Sequence, residues 1–451
     1  MNRKSILFVI ILLLLSIFSC QEMDNGIVNN DAANPDAGNS LMKKGSGNIG
    51  INVVLNTAVT DAILDELNGY GNVLDVLNEI NAVRILAKEN VLSDIINLTF
   101  VEAAAPDAER DAPPVDTVPV EDFTVGYSPW NLDVINVTEY PYFRTISETG
   151  EGVIVGVLDT GLKDSWRQYF PQERILSEYA KSFSGGGAFG TNVSEQPNKW
   201  EHDQNSHGTH VTSTIIGYNF YETPIAGVAP MAKIVPVKVL NQNGSGWSSV
   251  IARGIMYMAE LKEGPLADFP VVINMSLGGS RLDPVEQAAI DYAISKGIII
   301  VASAGNRGPA GMGYPGAYQP VISVAASGWQ PGAFIVNVPE SPDVIDEYYI
   351  ATYSSRARSG QDLDVTAPGD WVVGPYQLQS GKISYYYLSG TSMASPHVAG
   401  IVALMAEKDP DLTANDAETI LETAAIPMPD YTPADCGSGL ITADAALSLV
   451  P

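Results

Sequence analysis

A series of near-continuous apolar runs constrains the fold of this chain more than any other feature. Val153 to Leu158, Ile234 to Leu240, Val271 to Met275, Ile298 to Ala302 and Val321 to Ala325 largely lack the polar alternation of half-exposed strands. A strand reads this way when both faces of its sheet are covered, as in parallel sheets. Between the runs lie stretches with helical periodicity, at Val211 to Ile216, Ser248 to Leu261, Pro284 to Ser295 and Ser392 to Glu407. Alternating strands and helices of this kind predict an α/β domain over residues 123–451, a three-layer doubly wound parallel sheet. In such sheets functional residues gather at the carboxyl ends of strands.

The N-terminal part reads differently. Residues 49–102 begin with a strand at Ile49 to Leu55, then a helix at Asp61 to Leu67. Two strands fit within Val73 to Ala87, a second helix at Val91 to Leu98, and a last strand from Phe100. The order β-α-β-β-α-β predicts a small ferredoxin-like α+β unit. Residues 103–122 are Pro-rich and acidic, which predicts an exposed linker and a processing site. Residues 21–48, rich in Asn, Asp, Gly, Ala and Ser, read as a flexible tether. Residues 1–20 read as an export signal: Arg3 and Lys4 precede an apolar stretch from Ile6 to Phe18, too short to span a bilayer comfortably. Its ending, Ile17-Phe18-Ser19-Cys20, resembles the lipobox of bacterial lipoproteins, in which the cysteine becomes a lipidated amino terminus. An ordinary signal peptide or a short anchor is the alternative, and every version predicts an extracytoplasmic protein, secreted or held at the cell envelope.

The chain carries 52 acidic and 24 basic residues, a net charge of −28, which argues against nucleic acid as a partner. An acidic surface keeps a secreted protein soluble, and a monomer is expected. Of the two cysteines, Cys20 is claimed by the lipid reading and Cys436 is then left without a partner, so no disulfide framework is expected.

Three segments carry chemistry. Asp159 directly follows the first apolar run, in Leu158-Asp159-Thr160-Gly161. His207 opens a helix in Ser206-His207-Gly208-Thr209-His210, and Ser392 opens another in Gly390-Thr391-Ser392-Met393-Ala394-Ser395-Pro396. A serine hydroxyl is a weak nucleophile that needs an adjacent base; histidine suits that task, and a buried carboxylate fixes its tautomer. Free N–H groups at a helix start can bind a developing oxyanion. Asn306, ending the run Ile300 to Asn306, supplies a second donor for that oxyanion.

Other readings of these residues are weaker. Asp-Thr-Gly also marks proteases that use paired aspartates, but no second copy exists. His202, His207 and His210 invite a zinc site, yet Gly208 offers no ligand and the expected glutamate is missing. Ser389 and Ser395 flank Ser392, but only Ser392 sits at the turn into the helix. An inactive relative serving as a binding module would be expected to lack one of the four groups, and all are present.

Together with Ser303-Ala304-Gly305-Asn306, these motifs resemble those of the subtilisin-like serine proteases, the subtilases, over about residues 125 to 448. The chain order Asp, His, Ser is that family's. The resemblance implies polypeptide substrates and no cofactor for catalysis. It implies that residues 49–102 are an inhibitory propeptide, removed by autoprocessing of a zymogen. Gly244, Ser245 and Gly246 on one side, and Ser276, Leu277 and Gly278 on the other, are implied to flank bound substrate as edge strands. Gly313 is implied to floor the primary pocket, leaving room for large apolar side chains. The chain departs from the family in an insertion near Gln330 to Tyr349 and in the Tyr218 to Pro224 loop, which lacks the Asn-rich pattern of a strong calcium site. Gln168 also stands near where a carboxylate is expected, so structural calcium is left open but is unsupported at that position.

Overall fold

The computed structural model describes residues 47–112, 116–119, 130–139, 143–187, 191–220, 223–329, 348–377 and 383–451. Cys20, the export signal and nearly all of the tether and the insertion lie outside these residues. Among the described residues no helix is long and apolar enough to cross a membrane.

The N-terminal unit comprises β1 (Asn48–Leu55), α1 (Asp61–Asn68), β2 (Gly71–Leu77), β3 (Ala82–Lys88), α2 (Leu92–Ile96) and β4 (Val101–Pro106). Its antiparallel sheet has the order β2-β3-β1-β4. Two-residue alternation along β1 sends Ile51, Val53 and Leu55 into a core with Leu67 of α1 and Ile95 of α2. Val54 faces the other way, with Leu77 and Ala82, and joins the core of the larger domain.

The stretch expected to be an exposed linker from Ala103 is not exposed over its first eight residues. Ala103 to Pro106 belong to β4, and Asp107, Ala108 and Arg110 are buried. Beyond them run β5 (Glu109–Asp111) and β6 (Asp116–Pro119). Acidic and Pro-rich composition predicts exposure only when the charges lack partners. Here Asp107 accepts from Arg84 Nε at 3.0 Å, Ser249 Oγ at 2.7 Å and the Gly187 N–H at 2.8 Å.

The larger domain follows the predicted alternation. Its strands are β7 (Ile154–Asp159), β8 (Lys181–Gly186), β9 (Thr191–Glu195), β10 (Lys233–Lys238), β11 (Ser245–Trp247), β12 (Val271–Met275), β13 (Ile298–Ser303), β14 (Ile322–Trp329), β15 (Tyr348–Ile350), β16 (Val365–Pro368) and β17 (Ile383–Ser389). The helices that cover them are α3 (His207–Ile216), α4 (Ser248–Glu263), α5 (Pro284–Ser295), α6 (Thr391–Lys408) and α7 (Ala414–Ala424).

A nine-stranded sheet runs β9-β8-β10-β7-β12-β13-β14, with β15 and β16 both paired to β14. It is parallel except for β9 and β15 at its margins. Strand β7 lies in the middle, where the chain turns from building one side of the sheet to the other, so its carboxyl end opens on the crevice such folds use for function. The near-continuous apolar run of β7 has a direct cause. Val155 and Val157 pack into the core beneath α3 and α6, while Ile154 and Leu158 pack into the core beneath α4 and α5.

Strands β8 and β9 escaped the sequence reading, because their Gly- and Ser-rich residues carry no apolar run. The Tyr218 to Pro224 segment falls within a β-hairpin whose arms are Gly217–Phe220 and Thr223–Ala226.

Helix α6 packs closely enough on its neighbours to be tested. A Cβ on Gly400 would lie 2.6 Å from Val228 Cβ. Gly400→Ala gains about 1 kcal/mol in helix propensity but overpacks a β-branched neighbour, which costs about 1–3 kcal/mol. Calorimetry should show Tm lowered by up to roughly 2 °C; a higher Tm would contradict this packing.

Candidate active site

Asp159 is the last residue of β7 and His207 the first of α3, and both are buried. His207 Nδ1 lies 2.8 and 2.9 Å from the two carboxylate oxygens of Asp159. A carboxylate at that distance holds the ring proton on Nδ1 and leaves Nε2 as the basic nitrogen. Nε2 is buried and has no hydrogen-bond partner among the described residues. The junctions are tied together by Thr160, whose Oγ1 accepts the Gly208 N–H at 2.9 Å and donates to Asp203 at 2.9 Å. A Cβ on residue 208 would meet the Gly161 carbonyl at 2.5 Å, so only glycine lets the helix start this close to the strand.

Ser392 occupies the first turn of α6, and its hydroxyl donates to the Ser276 carbonyl at 3.3 Å, just past β12. Ser276 Oγ donates in return to the Ser392 carbonyl at 2.8 Å. Asn306, just past β13, accepts at Oδ1 from the Thr391 N–H at 2.9 Å and the Thr391 hydroxyl at 2.8 Å. With Oδ1 accepting from Thr391, the NH2 end is the donor group of the Asn306 amide. Adjacent strands β7, β12 and β13 thus lead into Asp159, Ser276 and Asn306, while α3 packs against α6. A strand-end carboxylate orients an imidazole whose other nitrogen is open, and the nearby serine stands at a helix start beside an amide. This arrangement can split an acyl bond.

The subtilase family model matches residues 150–444. A thermostable alkaline protease from Halalkalibacterium halodurans is 34% identical over 318 residues, covering 70% of this chain and 73% of its own length. The chain belongs to the subtilase family. Subtilisin DY from Bacillus licheniformis is 35% identical over 301 residues, covering 66% of this chain and 91% of its own. The solved structure of fervidolysin from Fervidobacterium pennivorans has the same fold, with a TM-score of 0.66 at 24% identity, covering 90% of this chain and 61% of that one. The chain is therefore a serine endopeptidase by family, and subtilases need no cofactor for catalysis.

Around His207 stand two charged residues that the motifs did not reveal, Asp203, which acts on the imidazole, and Lys238, which acts on Asp203. Burial alone would pull the imidazole down, but the charge and hydrogen bond of Asp159, aided by Asp203, raise it above its ordinary value. Burial pushes Asp203 itself up to about 6, against the pull of Lys238 and of hydrogen bonds from the backbone and Thr160. Lys238 ends β10 and donates to the Thr160 and Leu240 carbonyls. One signal was available: an aspartate four residues before His207 on an otherwise uncharged approach, and a lysine closing an apolar strand. His210 bonds the Val372 carbonyl at 3.1 Å and is held down at about 3, while His397 bonds the Met393 carbonyl at 2.7 Å and falls to about 4, both through burial. His202 stands at the surface beside Asp164, at 3.2 Å, so the three clustered histidines serve different surroundings.

The groove residues fall along two edges. Ser245 and Gly246 lie on β11, and Gly244 just before it; this edge pairs with β5. On the other edge Gly278 exchanges hydrogen bonds with Asp111, at 3.1 and 2.9 Å. Leu277 turns its side chain into the core beneath α4 and α5, so it contributes only backbone to that edge. Gly313 is buried behind the same edge, where a Cβ would lie 3.4 Å from the Gly279 carbonyl.

Away from the groove, Asp364, Glu418 and Glu422 bring carboxylate oxygens within 4.8 Å of one another, close enough to share a cation. Burial first, then the neighbouring carboxylates, pushes Asp364 up to about 6 and Glu418 up to about 7. Cys436 is buried and unpaired.

Two outcomes follow from these charges. The base must be neutral to act, so kcat/KM rises with pH through the raised His207 value. Asp203→Asn removes one of its raising causes and should move that acidic limb to lower pH, read from a pH–rate profile; an unmoved limb would exclude the coupling. The acidic trio binds protons more tightly folded than unfolded, so it subtracts stability as pH climbs through about 6 and 7 and costs nothing below about pH 4. Glu418→Gln should therefore raise Tm by roughly 1–3 °C at about pH 8 and leave it nearly unchanged at about pH 4. Equal shifts at both pH values would rule out this origin.

Proposed function

We propose that the chain is the zymogen of an extracytoplasmic serine endopeptidase in which Ser392 is the nucleophile, His207 its base and Asp159 the orienting carboxylate. The observation that carries the reading is the buried Asp159–His207 pair, whose open Nε2 lies at a helix start packed against the helix of Ser392. Turning the Ser392 hydroxyl from the Ser276 carbonyl to Nε2 readies it for attack. His207 takes the hydroxyl proton as Oγ bonds the substrate carbonyl carbon, and Asp159 stabilises the imidazolium. The Asn306 amide and the Ser392 N–H receive the oxyanion, each such donor being worth about 10²–10³ in rate. His207 then returns the proton to the leaving amine, and water repeats the sequence on the acyl-enzyme.

The N-terminal unit acts as the inhibitor in this reading. Its strand β5 pairs with β11 on one side and meets Gly278 on the other, filling the groove as an added strand. Past the site, β6 pairs with β17 up to Ser389, close to Ser392. The chain is thus held on both sides of the nucleophile, which supports a first cut between Ala112 and Asp116 in its own sequence. If Cys20 carries a lipid, that cut frees the protease from its anchor.

A fluorophosphonate probe should label the processed protein at Ser392, as read by peptide mapping. The Ser392→Ala chain, purified alone, should stay uncut, while the wild type should show a new amino terminus between Pro114 and Asp116. Absence of the adduct in folded, processed protein would sink the nucleophile assignment, and a processed Ser392→Ala chain would sink autoprocessing.

A further inference from the structure

What β5 offers the groove indicates what the groove is built to hold. Arg110 is fully buried and lies opposite Gly246 in the pairing with β11. Its guanidinium meets Glu286, in the first turn of α5, which is also fully buried. Arg110 Nε is 3.0 and 3.3 Å from the two carboxylate oxygens, and Nη2 bonds the nearer of them. Nη2 also donates to the Arg281 carbonyl at 2.9 Å, and Nη1 to the Glu109 carbonyl at 3.0 Å. All three nitrogens of the fork are used, which a lysine ammonium cannot reproduce. Among the described residues Arg110 is the only hydrogen-bond partner of the Glu286 carboxylate. Asp283 already caps α5, accepting from the Val285 and Glu286 N–H groups, so Glu286 is not needed for that task.

Register fixes where this pocket stands relative to the reacting bond. Asp111 pairs antiparallel with Gly278, so a substrate residue two further on would face Ser276, whose carbonyl holds the Ser392 hydroxyl. That residue carries the scissile carbonyl. Counting it as the first, the residue opposite Gly246 is the fourth on the acyl side of the cut.

We infer that Glu286 is a specificity-determining residue, which makes this protease select polypeptides with arginine at that fourth position. The inference rests on the protease reading above and goes beyond it, since pairing with the two edge strands is blind to side chains. With β5 gone, Glu286 lines the groove without its partner; an incoming guanidinium restores every bond Arg110 made. A neutral side chain of similar length leaves the carboxylate desolvated and unpaired, and an acidic one adds repulsion. The main-chain carbonyl that Nη1 used belongs to the preceding residue of any substrate strand, so it is always supplied.

The test uses enzyme processed from the full chain and internally quenched peptides that differ only at the fourth acyl-side residue, being arginine, lysine, norleucine or glutamate. The expected kcat/KM for arginine exceeds that for norleucine by about 30-fold or more, with lysine between them and glutamate lowest. In Glu286→Gln the arginine-to-norleucine ratio should fall below about 3-fold, and in Glu286→Arg the order of arginine and glutamate should reverse. Hydrolysis of all four peptides at similar rates by the wild type would overturn the inference and leave the protease reading intact, with Glu286 serving only to hold the N-terminal unit. Failure to cut any of them, without probe labelling at Ser392, would overturn both.

Discussion

The buried pairing of Asp159 with His207 is the interaction on which the rest of the site depends. A carboxylate with no exposure at the end of a central strand is costly unless a donor meets it, and removing one partner of such a pair costs about 3–5 kcal/mol. The fold meets that requirement by starting α3 where β7 stops, with Thr160 and Gly208 holding the two backbones together. Everything else is arranged outward from this junction. Strand β12 lies beside β7 and ends at Ser276, which exchanges hydrogen bonds with Ser392, and β13 lies beside β12 and leads to Asn306. Neighbouring strands of one parallel sheet therefore fix the spacing of all four groups, without relying on a long loop for precision.

The same architecture leaves a liability. Without β5, strand β11 and the segment at Gly278 would present unpaired backbone toward each other across the crevice, and unpaired strand edges recruit other chains. A protease uses that property, since the backbone of an extended polypeptide can pair with both edges. The chain also has to control it. Strand β5 fills the gap with the protein's own backbone, and Asp107 anchors the entry by capping the start of α4, through the Ser249 N–H at 3.1 Å. In the proposed reading, inhibition and substrate binding are one interaction made by different chains.

The motifs made much of the site legible from sequence. Asp159, His207, Ser392 and Asn306 each stand where an apolar run ends or a helix begins, so local pattern and chemistry agreed. The apolar runs were legible for the same reason, being covered on both faces. Charges whose meaning is set by tertiary partners were not legible. Asp203 and Lys238 lie on different segments, and only the fold brings Asp203 to bear on His207 and Lys238 to bear on Asp203. Arg110 sits in a stretch whose composition reads as solvated, while Glu286 looks like an ordinary first-turn acid on a helix. Nothing local states that each is the other's buried counterion. Strands β8 and β9 were missed because glycine and serine carry no periodic apolar signal, and their place is decided by the neighbour β10 and by each other.

Selectivity in such a groove comes from an asymmetry in cost more than from attraction. An arginine entering the Glu286 pocket gives up hydration on both partners, so the net gain of the pair over a well-packed apolar contact is small. The penalty falls on substrates that cannot supply a donor, because a side chain filling the pocket takes the carboxylate out of water without pairing it. Burial raises the proton affinity of Glu286, and Asp283 and Asp107 add to that, while Arg110 opposes it. A cation in the pocket therefore does more than satisfy hydrogen bonds, since it keeps Glu286 ionised in a place that otherwise favours the protonated acid. By the same reasoning the N-terminal unit needs an arginine at residue 110 to fill this groove closely, and a chain with 24 basic residues against 52 acidic ones has placed one of its few cations there.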